Sequence, residues 1–185
     1  MSILSKTTVG TRNLEAREKW LKKTLKKVPS GSKILDAGAG ELRYKKFCSH
    51  LNYVSQDFGQ YNGGGDGRGL QKKRWDNSKL DIVSDITKIP AKDNAFDAIM
   101  CIEVLEHLPR PIKAIEEFAR ILKPKGKLIL TAPFCSLTHF APYYFTKNTA
   151  EYPALQGGVF HWRWVDATRH AEPTCSLGGF LECDL

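Results

Sequence analysis

The 185-residue chain lacks most of the features that assign a protein quickly. Its five cysteines, Cys48, Cys101, Cys135, Cys175 and Cys183, are odd in number and form no C-x-x-C pair, which speaks against a disulfide framework or a zinc ribbon and for reduced thiols. No stretch approaches the roughly 18 to 20 apolar residues that span a bilayer. Met1 to Gly10 has no apolar core ahead of a small-residue cleavage site, so a cytoplasmic location is expected. The Gly-Lys-Ser/Thr of a phosphate-binding P-loop is absent as well.

With 42% hydrophobic and 26% charged residues the composition is that of a globular chain, which excludes disorder, collagen and fibre. The net charge of +8 is uneven: residues 1–145 carry 25 positive and 15 negative charges, residues 146–185 carry 3 and 5. Arg12 to Val28 places Leu14, Leu21, Leu25 and Val28 on one helical face with Lys and Arg around the rest, and Pro29-Ser30-Gly31 ends it. A basic amphipathic helix can bind membranes or phosphates, but the commoner explanation is a packing helix with a solvated outer face.

Beyond that break, short apolar runs alternate with helical patterns at 33–37, 53–58, 80–85, 96–105 and 127–134, as in a parallel sheet with crossover helices. The clearest helix starts at Pro111, with Ile112, Ile115, Phe118 and Leu122 as its buried stripe and Lys125-Gly126 as its stop. Six glycines between 59 and 69, followed by Lys72, Lys73 and Arg74, predict a surface loop. Three segments result: a basic helix over 1–29, an α/β domain over 30–146 and an atypical tail over 147–185.

The sharpest local signal is Ile34-Leu35-Asp36-Ala37-Gly38-Ala39-Gly40-Glu41, a strand running into an acid and Gly-x-Gly. Glycine there lets the backbone turn tightly and approach a ligand, although structural turns use it as readily. Asp57 stands 19 residues after Gly38, near where a dinucleotide fold holds ribose hydroxyls, but the third glycine of G-x-G-x-x-G is replaced by Arg43. That makes a nicotinamide site the weaker reading. Asp36, Asp57 and Asp85 also suit strand-end turns and helix caps.

Four blocks in order across residues 30–146 resemble the class I S-adenosyl-L-methionine (SAM) dependent methyltransferases, closest to the type 11 methyltransferase domains: LDAGAG, YVSQDF, SDITKIPAKDNAFDAIMCIEVLEHLPRP and LKPKGKLILTAPF. The resemblance implies a Rossmann-like α/β sandwich around a mostly parallel sheet. It implies SAM as cofactor, with Asp36, Gly38 and Gly40 at the methionine part, Asp57 on the ribose, Asp85 and Ile86 at the adenine, and Glu103 near the methionine end. Methyl transfer is then a direct displacement that alignment and desolvation accelerate, with a general base required only for a protonated hydroxyl acceptor.

On a helix after the fourth strand, Glu103, Glu106 and His107 would share a face at i, i+3 and i+4. Related quinone O-methyltransferases place a divalent metal on a similar E-x-x-E-H. Here His107 is read as a base candidate or a structural residue, and no metal is assigned. His139, with Tyr143 and Tyr144, lies where the family builds its acceptor pocket, so His139 is the second catalytic candidate; the tyrosines suit acceptor binding or plain packing.

After Thr146 the pattern breaks. That tail has no isoleucine, and 18 of the 19 lysines precede it. The strand pair that completes the family's sheet is therefore expected to be missing or altered, with only Val159 to Val165 strand-like. His161, His170, Cys175 and Cys183 match no common zinc spacing. The expected function is methyl transfer to a small-molecule acceptor, with no membrane span. A SAM-binding chain that has lost turnover and acts through a partner is one alternative. Nucleic-acid methylation is another, disfavoured because Cys-Ile-Glu-Val-Leu-Glu stands where nucleobase amino-methylating enzymes have Asn/Asp-Pro-Pro-Tyr/Phe; Cys135 is a weak nucleophile candidate for a C5 mechanism.

Overall fold

The computed structural model describes residues 13–61, 76–133, 163–166 and 178–184, the last two segments as backbone. The apolar runs become strands β1 (Lys33–Ala37), β2 (Asn52–Asp57), β3 (Ile82–Val83), β4 (Phe96–Ile102) and β5 (Leu122–Pro133). β6 (Arg163–Asp166) and β7 (Gly178–Asp184) follow, in a seven-stranded sheet of order β3-β2-β1-β4-β5-β7-β6. The first five pair in parallel, and β7 joins β5 and β6 antiparallel. The terminal pair is thus present in the backbone, and what is altered is its sequence. Its strand Arg163–Asp166 also starts four residues later than the strand-like run expected from Val159.

Period-two alternation sorts the central strands into two cores, because successive side chains leave a strand on opposite faces. Leu35, Ala37, Ile99, Cys101, Leu128 and Leu130 point to one side and meet helix α2 (Pro111–Ile121) through Ala114, Ile115, Phe118 and Ile121. Ile34, Ala98, Met100, Ile102 and Ile129 point to the other and meet helix α1 (Asn13–Leu25) through Leu21 and Leu25, with Val28 just beyond it. Strands covered on both faces are mostly apolar, which is why β1 and β4 read as near-continuous runs rather than alternating ones, interrupted by Asp36 and Asp97. Leu14 departs from the expected stripe: it is among the exposed apolar residues, so the buried face of α1 begins at Leu21.

Three boundaries differ from expectation. The run at 80–85 contributes only a two-residue strand, because Ser84 and Asp85 are already committed to a turn. Helix α2 stops at Ile121, four residues before Lys125, and the chain passes straight into β5. After β4 there is no α-helix: Glu103 adopts φ 56, and only a 3₁₀ turn, Leu105–His107, follows. Among the described residues no helix is long and apolar enough to cross a membrane.

Candidate functional site

Parallel strands deliver their carboxyl ends to one edge of the sheet, and the crevice outside those ends is where open α/β folds bind ligands. β1 ends at Ala37 and turns through Gly38 and Gly40, whose φ values of 80 and 51 lie in the left-handed region that favours glycine. Gly38 has a second constraint, since a Cβ there would stand 2.4 Å from Val104 Cγ2. The N–H groups of Gly38 and Ala39 both donate to the Gln56 carbonyl at 2.9 Å, which ties the turn to the end of β2.

Asp57 closes β2 and joins two loops. Its Oδ2 accepts from the Gly40 N–H at 3.0 Å and its Oδ1 from the Gly59 N–H at 3.0 Å. A carboxylate has about four acceptor positions, so capacity remains for a diol or an amine after both bonds are made. Its backbone carbonyl accepts from the Ser84 N–H, and Gln56 Nε2 donates to the Ser84 carbonyl, which draws Asp85 to the same edge. Asp85 Oδ1 accepts from the N–H and hydroxyl of Thr87, both at 2.8 Å, and these bonds hold its carboxyl below the ordinary carboxylate range. The carboxyl itself is exposed. Ile86 next to it is 6% exposed and packs in the core on the α2 side, which leaves only its backbone for a ligand.

Asp36 lies deeper, 1% exposed, and accepts from the Tyr53 hydroxyl at 2.6 Å. Burial raises it to about 7, against the opposing effect of the Tyr53 bond and with a smaller push from the Asp57 charge. Tyr53 had no signal in the sequence; its position on β2 one residue out of step with Leu35, its neighbour's partner, only becomes meaningful once the register Ile34↔Tyr53 is known.

The third cluster surrounds the end of β4. The Glu103 N–H donates to the Thr131 carbonyl at 3.0 Å and to its hydroxyl at 3.1 Å, which stabilises the positive-φ turn. Its carboxylate accepts from Arg17 of α1 at 3.0 Å. Glu106 is 2% exposed with both carboxyl oxygens buried and no hydrogen-bond donor. Burial first, and the Glu103 charge second, push it up to about 8. His107 Nε2 stands 3.7 Å from Glu106 Oε1. The expected common face of Glu103, Glu106 and His107 is therefore corrected: the left-handed turn at Glu103 breaks the helical spacing, so the first carboxylate faces α1 and the second is buried. Among the described residues no group of three or more His, Cys, Asp or Glu is placed to hold a metal. His139, Tyr143, Tyr144 and Cys135 lie outside the described residues. Arg17 was missed because its partner is 86 positions away and lysines surround it in sequence.

A glycine turn that only a bare backbone can follow, beside a series of exposed or half-exposed carboxylates, fits an adenosine with its diol and amine donors, and it needs no metal. Comparison with known proteins agrees. A family model described as a methyltransferase domain matches residues 35–130. Similar curated proteins include the tRNA (carboxymethyluridine(34)-5-O)-methyltransferase of Arabidopsis thaliana, 34% identical over 58% of this chain and 25% of that protein. Cycloartenol-C-24-methyltransferase 1 of Oryza sativa is 31% identical over 62% of this chain and 34% of its own. The chain thus spans a quarter to a third of the length of these relatives. The fold is similar to that of the YcgJ protein of Bacillus subtilis, with a TM-score of 0.63 and 15% identity over 92% of this chain and 98% of that one. On the matched family model, the parallel sheet and the glycine turn at its edge, the chain belongs to the methyltransferase domain family, the class I methyltransferases whose cofactor is SAM.

Proposed function

We propose that this chain transfers a methyl group from SAM to a small-molecule acceptor by direct displacement. The observation that carries this reading is Asp57, whose two oxygens are each fixed by a glycine N–H from a different loop. When bound, SAM supplies an electrophilic methyl group on a positively charged sulfur. Asp57 would hold the ribose diol and Asp85 the adenine amino group. Gly38 and Gly40 would let the backbone approach the cofactor, Asp36 just before that turn is held by the Tyr53 hydroxyl, and Ile86 would offer its backbone. Glu103 lies at the methionine end. Fixed acceptors of this kind align the methyl donor, and alignment with exclusion of water accounts for most of the acceleration. For a hydroxyl acceptor, the imidazole of His107 takes the proton, with the buried Glu106 carboxyl beside it; His139 is the alternative base.

One observation favours RNA as a second reading. Lys19, Lys22 and Lys23 of α1, with Lys26 just past its end, follow i, i+3, i+4, i+7 spacing, all exposed and opposite the buried face of the helix. The Arabidopsis relative is a tRNA methyltransferase by name. The discriminating experiment incubates the chain and a cell extract with methyl-labelled SAM, then separates products by size after nuclease digestion or none. Label in the small-molecule fraction, indifferent to nuclease, is the expected result. Label in nuclease-sensitive polymer would replace it with the RNA reading, and binding to RNA would then weaken steeply with salt.

A further inference from the structure

Positive charge is concentrated in one part of the fold. Residues 13–50, which carry α1, β1 and the 3₁₀ turn Lys45–Phe47, hold ten Lys and Arg against four Asp and Glu, one of the four being the buried Asp36. Residues 76–133, which carry β3 to β5 and α2, hold nine of each sign. α1 and α2 cover opposite faces of the sheet, so among the described residues the α1 side is basic and the α2 side balanced. We propose that the outer face of α1, with the 3₁₀ turn beside it, docks the phosphate backbone of RNA. The choice of RNA rests on the second reading above; the surface lies outside the cofactor crevice and does not depend on what the crevice methylates.

The face itself is built from Lys19, Lys22, Lys23 and Lys26, all exposed and opposite the buried Leu21 and Leu25. Lys26 lies past the end of α1, yet its N–H still donates to the Lys22 carbonyl at 3.3 Å, which keeps it in helical position. None of the four makes an ion pair among the described residues. Their spacings create like-charge pairs three and four residues apart, which destabilise the free helix, and an anionic strand laid along the face would neutralise them. The helix dipole favours cations in the last turn, Lys22 and Lys23, but not Lys19 or the turn next door. There, Glu18, one helical turn before Lys22, accepts from Arg43 Nε at 3.1 Å and stands 3.6 Å from Lys46 Nζ. Two cations share that single carboxylate and Lys45 is exposed beside them, so the flank remains positive. The one exposed acid on α1 is Glu15, in its first turn.

Direction links the surface to the site. Arg17 meets Glu103 at the end of β4, whereas the chain after α1 leads to Lys33 at the start of β1, so the helix runs antiparallel to β1 and away from the crevice edge. Lys19 is nearest that edge, and Lys26 lies about 10 Å further along the axis. The chemistry of the face selects the partner. An amphipathic helix enters a lipid surface by its apolar side, and here that side is in the core; of the exposed large apolar residues only Leu14 is on α1, in its first turn. Protein interfaces are depleted in lysine and favour aromatic residues and arginine. A face of lysine point charges without the Arg, Asn or Gln that read base edges suits phosphates, and it implies binding indifferent to sequence.

The test is fluorescence anisotropy of a short labelled single-stranded RNA of mixed sequence, titrated with the full chain over a series of salt concentrations. Wild type is compared with two double variants of the face, Lys22→Gln with Lys26→Gln and Lys19→Gln with Lys23→Gln, and with Lys88→Gln plus Lys92→Gln, which removes the same charge from exposed positions on the α2 side. Glutamine keeps the helix propensity of lysine, and melting curves check that each chain is folded. Either face variant is expected to bind roughly tenfold or more weakly at about 0.1 M salt, with the slope of log affinity against log salt reduced by about 0.7 per lysine, while the control stays within about twofold of wild type. No binding by the wild type at low salt would overturn the proposal. So would equal weakening by the control pair, which would show an effect of net charge alone. Vesicles of equal parts phosphatidylserine and phosphatidylcholine that bind the chain through these lysines when RNA does not would give the face to a membrane instead. Docking of RNA by a chain that fails to bind S-adenosylhomocysteine would refute the cofactor site and leave this surface standing.

Discussion

Gly38 combines two requirements that a sequence shows only as the letter G. Its φ of 80 costs an L-residue roughly 1–2 kcal/mol, and a Cβ would stand 2.4 and 2.9 Å from the two γ carbons of Val104. Overpacking adds roughly 1–3 kcal/mol. Gly38→Ala should therefore lose about 2–5 kcal/mol in urea unfolding. Adding Val104→Ala should recover the packing part and leave the backbone part; a Gly38→Ala chain as stable as wild type would contradict the conformation described here. The acids were legible for a different reason. Asp57 closes β2 and Asp85 follows β3 by two residues, and strand ends announce themselves by apolar runs that stop. The Arg17–Glu103 and Tyr53–Asp36 pairs were not legible, since each depends on elements brought together by the tertiary fold and neither partner carries a local mark.

At the scale of elements, legibility followed burial on both faces. β1 coincides with the run expected at 33–37, β4 starts with the run expected at 96–105 and ends three residues before it, and α2 starts at its expected proline. The failures lie where a local conformation overrides periodicity: the left-handed residue Glu103 ends the helical spacing after β4, and β5 takes over from α2 at Leu122 before any glycine is reached. The segment between Asp85 and β4 is held by α2 rather than by its own structure. Glu117 accepts from the Ile89 N–H at 2.7 Å and from two nitrogens of Arg120, which in turn donates to the Ile89 and Ala91 carbonyls. Glu117→Ala removes a nearly buried acceptor and orphans the Ile89 N–H, so a loss of about 2–4 kcal/mol is expected. The Arg120–Asp93 pair is as short, 2.6 Å, but Asp93 is 70% exposed. Asp93→Ala should cost under about 1 kcal/mol. Urea midpoints that rank the two substitutions in the opposite order would refute this account of what holds the segment.

The whole molecule is a sheet completed by a tail whose composition gave little warning of it. Backbone pairing of β7 with β5 does not require the isoleucine and valine by which strands are usually recognised, so the tail's composition hides strands that are present. Stability should also report the buried acid at the centre of the site. Asp36 is raised to about 7 by burial, from an ordinary value of 3.8 that the unfolded chain retains. The folded chain then binds a proton that the unfolded chain has released, so this contribution is complete below about pH 4 and is lost as pH rises to about 7. Asp36→Asn abolishes the titration, and its stability should gain on wild type across that window by an amount on the order of a few kcal/mol. A wild-type-to-variant difference that stays constant with pH would show that Asp36 is not neutral in the folded chain.

The most direct test of the central claim, a SAM site built on the strand ends around Asp57, is calorimetric titration of folded wild type and Asp57→Ala with S-adenosylhomocysteine. Loss of charge-assisted bonds to the ribose corresponds to about 1.5–3 kcal/mol. The account predicts saturable binding to the wild type that is weakened roughly ten- to a hundredfold in the variant. Equal affinity in two folded chains would contradict it and move the cofactor away from the end of β2.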